Sequence, residues 1–354
     1  MNPQKTICYF GMYNPTAPRD RVYLEGLKKL GYTVIECVDN SRGIKKFFQL
    51  AKKHQALKGQ YDILWVGYLS TMLLPLAWFL SKKKIVFNAL DSWYDRSVLD
   101  REIYPQSSVK AWIIKIADIF AFYFSDVILV ESEQQKLFIA QNFFVSPSKL
   151  EVVFTGVDEA VFYPDPTVKK NPQFTVVFRG MFLPATGVLV VIEAARVLKS
   201  ARVKFVIIGW GEPIQTSVKN LMVEYDLSNV TLITHFLSTE ELRKTMLAAE
   251  VMLGQFSNHE RLDRTIQNKN FEALALGLPF ITRDSKSNRE LLTDRVNALF
   301  VPAENPEALA EKIMELQKNS VLRAQISLGA QELYKTRCAS AVLTEQVKNI
   351  LEKA

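Results

Sequence analysis

The chain has 354 residues, 48% hydrophobic and 23% charged, with a formal net charge of +7; this suits two globular domains with cores of their own and excludes a disordered or low-complexity chain. Three cysteines (Cys8, Cys37, Cys338) and three histidines (His54, His235, His259) are scattered without paired spacing, which disfavours a disulfide framework, a zinc cluster and a Cys–His nucleophile pair. Residues 1–155 hold 20 Lys and Arg against 14 Asp and Glu, a net +6, which leaves +1 of the +7 for the other 199 residues.

Short runs rich in β-branched and aromatic residues alternate with helical patterns from the start of the chain. Strands are expected at 5–10 (KTICYF), 32–38, 61–67, 83–89, 126–132 and 150–154, with helices at 20–30, 43–58, 70–81, 110–124 and 133–142. After a polar, proline-bearing stretch (DEAVFYPDPTVKKNPQ, 158–173) the rhythm resumes with FTVVFRG, VKFVIIG, NVTLIT, VMLGQF, PFITRD and ALFVPA. This alternation marks an α/β chain with parallel sheets. It predicts a doubly wound domain over 1–160, a linker over 161–172, a second doubly wound domain over 173–336, and a terminal helix over 337–354 that crosses back to the first. Ligands of such sheets bind beyond the carboxyl ends of the strands, here in a cleft across which the two Rossmann-like halves face.

The positive charge lies beside apolar runs. Lys45-Lys46, Lys52-Lys53 and Lys82-Lys83-Lys84 accompany LSTMLLPLAWFL (69–80) and WIIKIADIFAFYF (112–124). The first is too short to span a bilayer, and the second carries Lys115 and Asp118 inside it. Two readings stay open: core helices with solvated lysines at their ends, or a face resting on anionic lipid, to which each near-surface cation adds about 1 kcal/mol. The N-terminus MNPQKTICYF carries no secretory signal pattern, so the expected location is the cytoplasm, at the inner face of the cell membrane under the second reading. No basic helix or aromatic RNA-binding motif accompanies the charge, and nucleic acid is not an expected partner.

The most informative stretch runs from Arg264 to Asp284, RTIQNKNFEALALGLPFITRD. Arg264, Asn268, Lys269 and Glu272 precede or open a short apolar helix that Gly277 ends. A loop leading into a helix start beside cations suits a phosphate, because free backbone N–H groups and the helix dipole both favour an anion. Glu272, one turn in, suits neutral hydroxyls such as those of a ribose. The plain alternative is a surface pair between Lys269 and Glu272, worth about 0.3 kcal/mol.

Four blocks extend this reading: ADIFAFYFSDVILVESEQQKLFI with KLEVVFTGVDEAVFYP; VVFRGMFLPATGVLVVIEAARVLK; VKFVIIGWGE; and NKNFEALALGLPFITRDSKSNREL with ALFVPAENPEALAEKI. In this order and spacing the chain resembles a family 4 glycosyltransferase of the GT-B fold. The resemblance implies a nucleotide-diphosphate sugar as donor substrate, no cofactor, no metal, retention of anomeric configuration, and a glycan or lipid-linked acceptor of the kind used in polysaccharide biosynthesis. It also implies that the turns carrying Gly180 and Gly187, and Gly209 and Gly211, approach the donor diphosphate.

The chain departs from the family where charge matters. Two acidic residues separated by seven others are usual, and Glu272 holds the second place, but Arg264 holds the first. The slots for a diphosphate-binding Arg and Lys hold Met181 and Thr186. A unit charge at about 4 Å is worth about 4 kcal/mol at an effective dielectric of 20, so both losses need replacement. Lys269 and Arg264 are the candidate replacements, with Arg179 a weaker one. One branch of the family carries an N-K-x-x-E pattern here, which Asn268, Lys269 and Glu272 reproduce. The expected catalytic groups are thus Lys269 and Arg264, which neutralise the departing diphosphate while the sugar becomes oxocarbenium-like.

In the first half, DSWYDRSVLDRE (91–102) follows a strand at its carboxyl end. Asp91 and Asp95 are candidates to orient sugar or acceptor there, against the reading of an exposed loop with weak local ion pairs. Gly11, after the first strand, either admits the donor sugar to the backbone or is a plain turn glycine. Two rivals stand beside sugar transfer: a nucleotide-sugar epimerase of the same architecture, which the scarcity of histidine disfavours, and a nucleotide- or sugar-binding partner protein without catalysis.

Overall fold

Continuous apolar runs without alternation require strands buried on both faces, and the inner strands of both sheets are built from them. The computed structural model describes residues 5–12 and 18–353 and divides into two units, Val157–Ala339 and the remainder of the chain.

The first unit comprises β1 (Thr6–Gly11), α1 (Pro18–Lys29), β2 (Thr33–Val38), α2 (Lys45–Leu57), β3 (Ile63–Val66), α3 (Leu74–Leu80), β4 (Lys84–Leu90), α4 (Val109–Tyr123), β5 (Val127–Val130), α5 (Glu133–Phe143), β6 (Leu150–Val152) and the last helix, α13 (Ser340–Lys353). Its six strands are parallel in the order β2-β1-β3-β4-β5-β6. The crossover from β1 to β2 runs one way along the sheet and the next four run the other. Right-handed crossovers therefore place α1 on one face and α2 to α5 on the opposite face. In keeping with this, α2, α3, α4 and α5 pack in sequence, and α13 packs against α1.

The second unit comprises β7 (Phe174–Arg179), α6 (Val188–Val197), β8 (Val203–Ile208), α7 (Ile214–Glu224), β9 (Val230–Ile233), α8 (Thr239–Leu247), β10 (Val251–Leu253), α9 (Asn268–Leu276), β11 (Phe280–Arg283), α10 (Lys286–Leu291), β12 (Leu299–Val301), α11 (Pro306–Lys318) and α12 (Ser320–Leu333). Its sheet is again parallel, β12-β11-β10-β7-β8-β9. β7, the first strand, thus lies at the centre, and its carboxyl end lies beside those of β8 and β10. Val176, Phe178, Val191, Phe205, Ile207 and Leu253 form the core on the α6 and α11 side.

Of the two readings of the acidic run 91–102, the exposed loop does not form: residues Asp95–Asp100 wind as a widened helical turn, and Asp91, Asp95 and Asp100 are buried. The stretch 161–172 has no regular element, yet it is fastened to the second unit rather than free. Asp165 pairs with Arg243 at 3.0 Å, the Arg243 guanidinium lies 4.2 Å from the Tyr163 ring centre, and Lys170 donates to the carbonyls of Leu247 and Ala249.

The seat of α13 on α1 rests on one missing side chain. A Cβ on Gly26 would fall 1.8 Å from Thr344 Oγ1. Gly26→Ala is expected to destabilise the protein by about 1–3 kcal/mol through overpacking, and adding Thr344→Ala to recover part of it. Urea unfolding of the single and double variants measures this, and an unchanged Gly26→Ala midpoint would count against the contact.

Candidate functional site

The carboxyl ends of β7 and β8 are held together by backbone rather than side chains. The Gly180 N–H donates to the Ile208 carbonyl (2.9 Å) and the Phe182 N–H to the Trp210 carbonyl (2.8 Å). A Cβ on Gly209 would fall 2.0 Å from the Gly180 oxygen, and one on Gly211 2.7 Å from the Phe182 oxygen. Only glycine lets the two turns meet. Gly187, at φ 65° before α6, sits equally close to the backbone of Phe256 and Ser257. The Met181 side chain is half exposed, and the Thr186 hydroxyl donates to Leu183 within its own turn.

α9 starts after Gln267 with no side chain capping its N-terminal N–H groups, and Gly277 ends it in the left-handed conformation. Residues 269–276 are all buried, so the helix is enclosed; Asn270 donates to Asn288 Oδ1 at 2.7 Å, and the first turn also meets the end of β7. There the Lys269 side chain is 6% exposed, and its ammonium has no hydrogen-bond partner among the described residues. It lies 4.2 Å from the centre of the Phe178 ring and against Gly180, where a Cβ would stand 3.1 Å from Nζ. Burial, with the Arg179 charge adding to it and Glu272 opposing, pulls its pKa down to about 7.

The nearby carboxylate is already engaged. Arg179 Nε donates to Glu272 Oε2 at 2.8 Å, and Nη2 donates to Oε1 in a short bond. Such bidentate pairs are the strongest and most directional ion pairs available. Two cations and one carboxylate leave a positive excess on Lys269, beside an uncapped helix start. That combination suits an anion. Asn268 is exposed at the first position of the helix. Arg264 stands at the end of the preceding 3₁₀ turn with its guanidinium 3.7 Å from Glu260. The loop before α9 is fixed by Arg283, which donates to the carbonyls of Ser257 and His259 and pairs with Asp263 at 3.0 Å. Sequence reasoning missed this role, and its only signal was a cation ending a buried strand.

In the first unit Asp91 accepts from Arg96 at 2.6 Å, and Arg96 also donates to the Tyr68 hydroxyl. Asp95 is fully buried, with its N–H on Ser92 Oγ. The residue that organises this turn is Asp118, from the middle of α4. It accepts from the Ser92 hydroxyl (2.8 Å) and from the N–H groups of Trp93 (3.2 Å) and Tyr94 (2.7 Å). Burial pushes its pKa up to about 7 against those bonds. At Gly11, φ 129°, a Cβ would fall 2.4 Å from Ser70 Oγ, so what the glycine admits is Ser70. A cavity of about 460 Å³ lies beside it, lined by Lys46 and Arg96 among Met12, Phe47, Leu69, Met72 and Trp93. The Lys46 ammonium touches the Met12 sulfur at 3.0 Å, a weak acceptor.

Residues 162–333 match the family of group 1 glycosyl transferases. Among curated relatives, an amylovoran biosynthesis glycosyltransferase of Erwinia amylovora is 25% identical over 170 residues, covering 47% of this chain and 42% of that protein. An uncharacterized glycosyltransferase of Methanocaldococcus jannaschii is 26% identical over 211 residues, covering 60% and 55%. The chain thus spans about half the length of the curated relatives it matches. Anabaena HepE, solved with UDP and glucose, superposes with a TM-score of 0.76 at 15% identity, over 99% of this chain and 100% of that one. Sucrose-phosphate synthase of Thermosynechococcus elongatus gives 0.75 at 14% identity, over 99% of each. By sequence the second half of the chain, with Arg179, Lys269 and Glu272 in it, matches the group 1 glycosyl transferases, and by fold the whole chain matches proteins of the two-domain GT-B type.

Proposed function

We propose that the protein is a glycosyltransferase that moves a hexose from a nucleotide-diphosphate sugar to a glycan or lipid-linked acceptor, with retention of configuration and without a metal. The observation that carries this reading is the buried, partnerless Lys269 ammonium at the start of α9, against the Gly180 turn. A diphosphate there gains a full charge partner, the helix N–H groups and the backbone of the Gly180 turn. These are the groups needed where charge grows as the glycosidic bond breaks. The acceptor hydroxyl then attacks the face that the diphosphate leaves, and a diphosphate oxygen takes its proton. HepE was solved with UDP-glucose, which makes uridine diphosphate the first nucleotide to test.

Glu272 and Arg179 act as one unit in this scheme. A carboxylate has about four acceptor positions, so Glu272 can keep its Arg179 bonds and still accept from ribose hydroxyls. The guanidinium holds it oriented. On the acceptor side, the cavity with Lys46 and Arg96 among apolar walls suits an acceptor with an anionic group and a lipid portion. Asp91 fixes Arg96 there.

Lys269→Met tests the donor site. Removing a buried charge that lacks an acid should stabilise the ligand-free protein by about 1–4 kcal/mol and weaken nucleoside-diphosphate binding by about tenfold to a hundredfold. The native ammonium titrates near 7 and the unfolded one near 10.5. Between these values the unfolded chain holds the extra proton, so stability rises with pH in the wild type, and this rise is absent from the variant. Thermal melts across pH, with and without UDP, read all three effects; a variant that is less stable yet binds UDP as before would sink the assignment. Glu272→Gln tests the ribose contact: calorimetry should show the preference for UDP over its 2′,3′-dideoxy analogue falling about tenfold, whereas an unchanged preference places the ribose elsewhere.

A further inference from the structure

α4 is apolar on both sides, yet only one side is covered. Ala111, Ile114, Asp118, Ala121 and Phe122 face the core, whereas Val109, Trp112, Ile113, Ile116, Phe120 and Tyr123 recur at helical spacing on the outside. Trp112 is 61% exposed and Tyr123 72%. A helix apolar all round is ordinarily buried on all sides, so this outer stripe lacks its cover. The neighbouring helices continue it: on α3, Phe79 is 77% exposed and Trp78 packs at a tilt against Phe124, and at the start of α2 Ile44 and Phe48 are exposed.

The exposed charge on these three helices is all basic, although Asp126 and Glu102 are exposed near the ends of α4. α2 and α3 contain no acidic residue, and the only one in α4 is the buried Asp118. Lys45, Lys52, Lys82, Lys83 and Lys110 are all exposed on or beside these helices. No helix among the described residues is long and apolar enough to cross a membrane. We infer that the α2–α3–α4 face seats the protein on an anionic lipid bilayer, with Trp78, Phe79, Trp112 and Tyr123 entering the headgroup–acyl boundary and the lysines meeting the headgroups. A protein partner or a second copy would explain the apolar stripe alone; the predominance of lysine around it favours a continuous negative surface. The face lies within the first unit and shares no residue with the Lys269 site, so its failure leaves the donor reading standing.

The test is sedimentation of the full chain with phosphatidylcholine vesicles, with and without phosphatidylglycerol, at low and high salt. Binding is expected only to the anionic vesicles and should weaken with salt. The triple variant Lys82→Glu, Lys83→Glu, Lys110→Glu should bind about a hundredfold more weakly. Brominated acyl chains should quench tryptophan fluorescence, and less so in Trp78→Phe with Trp112→Phe. Circular dichroism melts check that each variant folds. Equal binding to neutral and anionic vesicles, or undiminished binding by the triple variant, would overturn the inference. So would a lipid-free dimer that Trp112→Ser dissociates in sedimentation velocity, since a second copy would then be the cover.

Discussion

The candidate site depends on an imbalance of charge that the fold enforces. Arg179 ends the central strand of the second sheet, Glu272 lies one turn into α9, and their bidentate pair takes both carboxylate oxygens. Lys269, one turn earlier and 6% exposed, is left with an aromatic ring and backbone for company. The cation–ring contact returns about 2 kcal/mol at most, less than the several kcal/mol that a buried ion costs. A site kept in this state is poised for an anion, because the ligand supplies what the protein omits.

Backbone approach makes the imbalance possible. The Gly180 and Gly209 turns meet without side chains, which brings the end of β7 close under the start of α9. Arg283 and Asp263 hold the loop that feeds α9, so the helix start is positioned from behind by buried polar bonds. In the first unit Asp118 does comparable work by gathering three donors from residues 92–94. Burial raises the pKa of its carboxyl to about 7 in spite of those bonds.

The strands and long helices were legible because period and composition are local: ILWV and VILV are buried at every position, and each predicted strand of the first half formed. The helix expected at 70–81 begins instead as a 3₁₀ turn, Thr71–Leu73, before Pro75 sets the first turn of α3. At the site, Lys269 and Glu272 were visible as residue types at a helix start. Their partners were not, since Arg179 is 93 positions from Glu272 and nothing in its neighbourhood announces the pairing. For the run 91–102 the sequence left two readings open, ligand-orienting carboxylates or an exposed loop, because Asp118, which accepts from Ser92, Trp93 and Tyr94, lies on a distant helix and stood in the sequence only as a charge interrupting an apolar run. Met181 and Thr186 place no charge at these turns, and Lys269, from a distant segment, is a cation that stands by the Gly180 turn. The apolar runs 69–80 and 112–124 proved half core and half surface, a division that requires knowing which face of each helix the sheet covers.

The most direct measurement is a nuclear magnetic resonance titration of the lysine side chains labelled at Cε, with Lys269 assigned by substitution, in the free protein and with saturating UDP. The account predicts one lysine titrating near 7 in the free protein and shifting upward by about 2 units or more when the diphosphate binds. A Lys269 resonance that titrates near 10.5 in the free protein, or that UDP leaves unmoved, would contradict it.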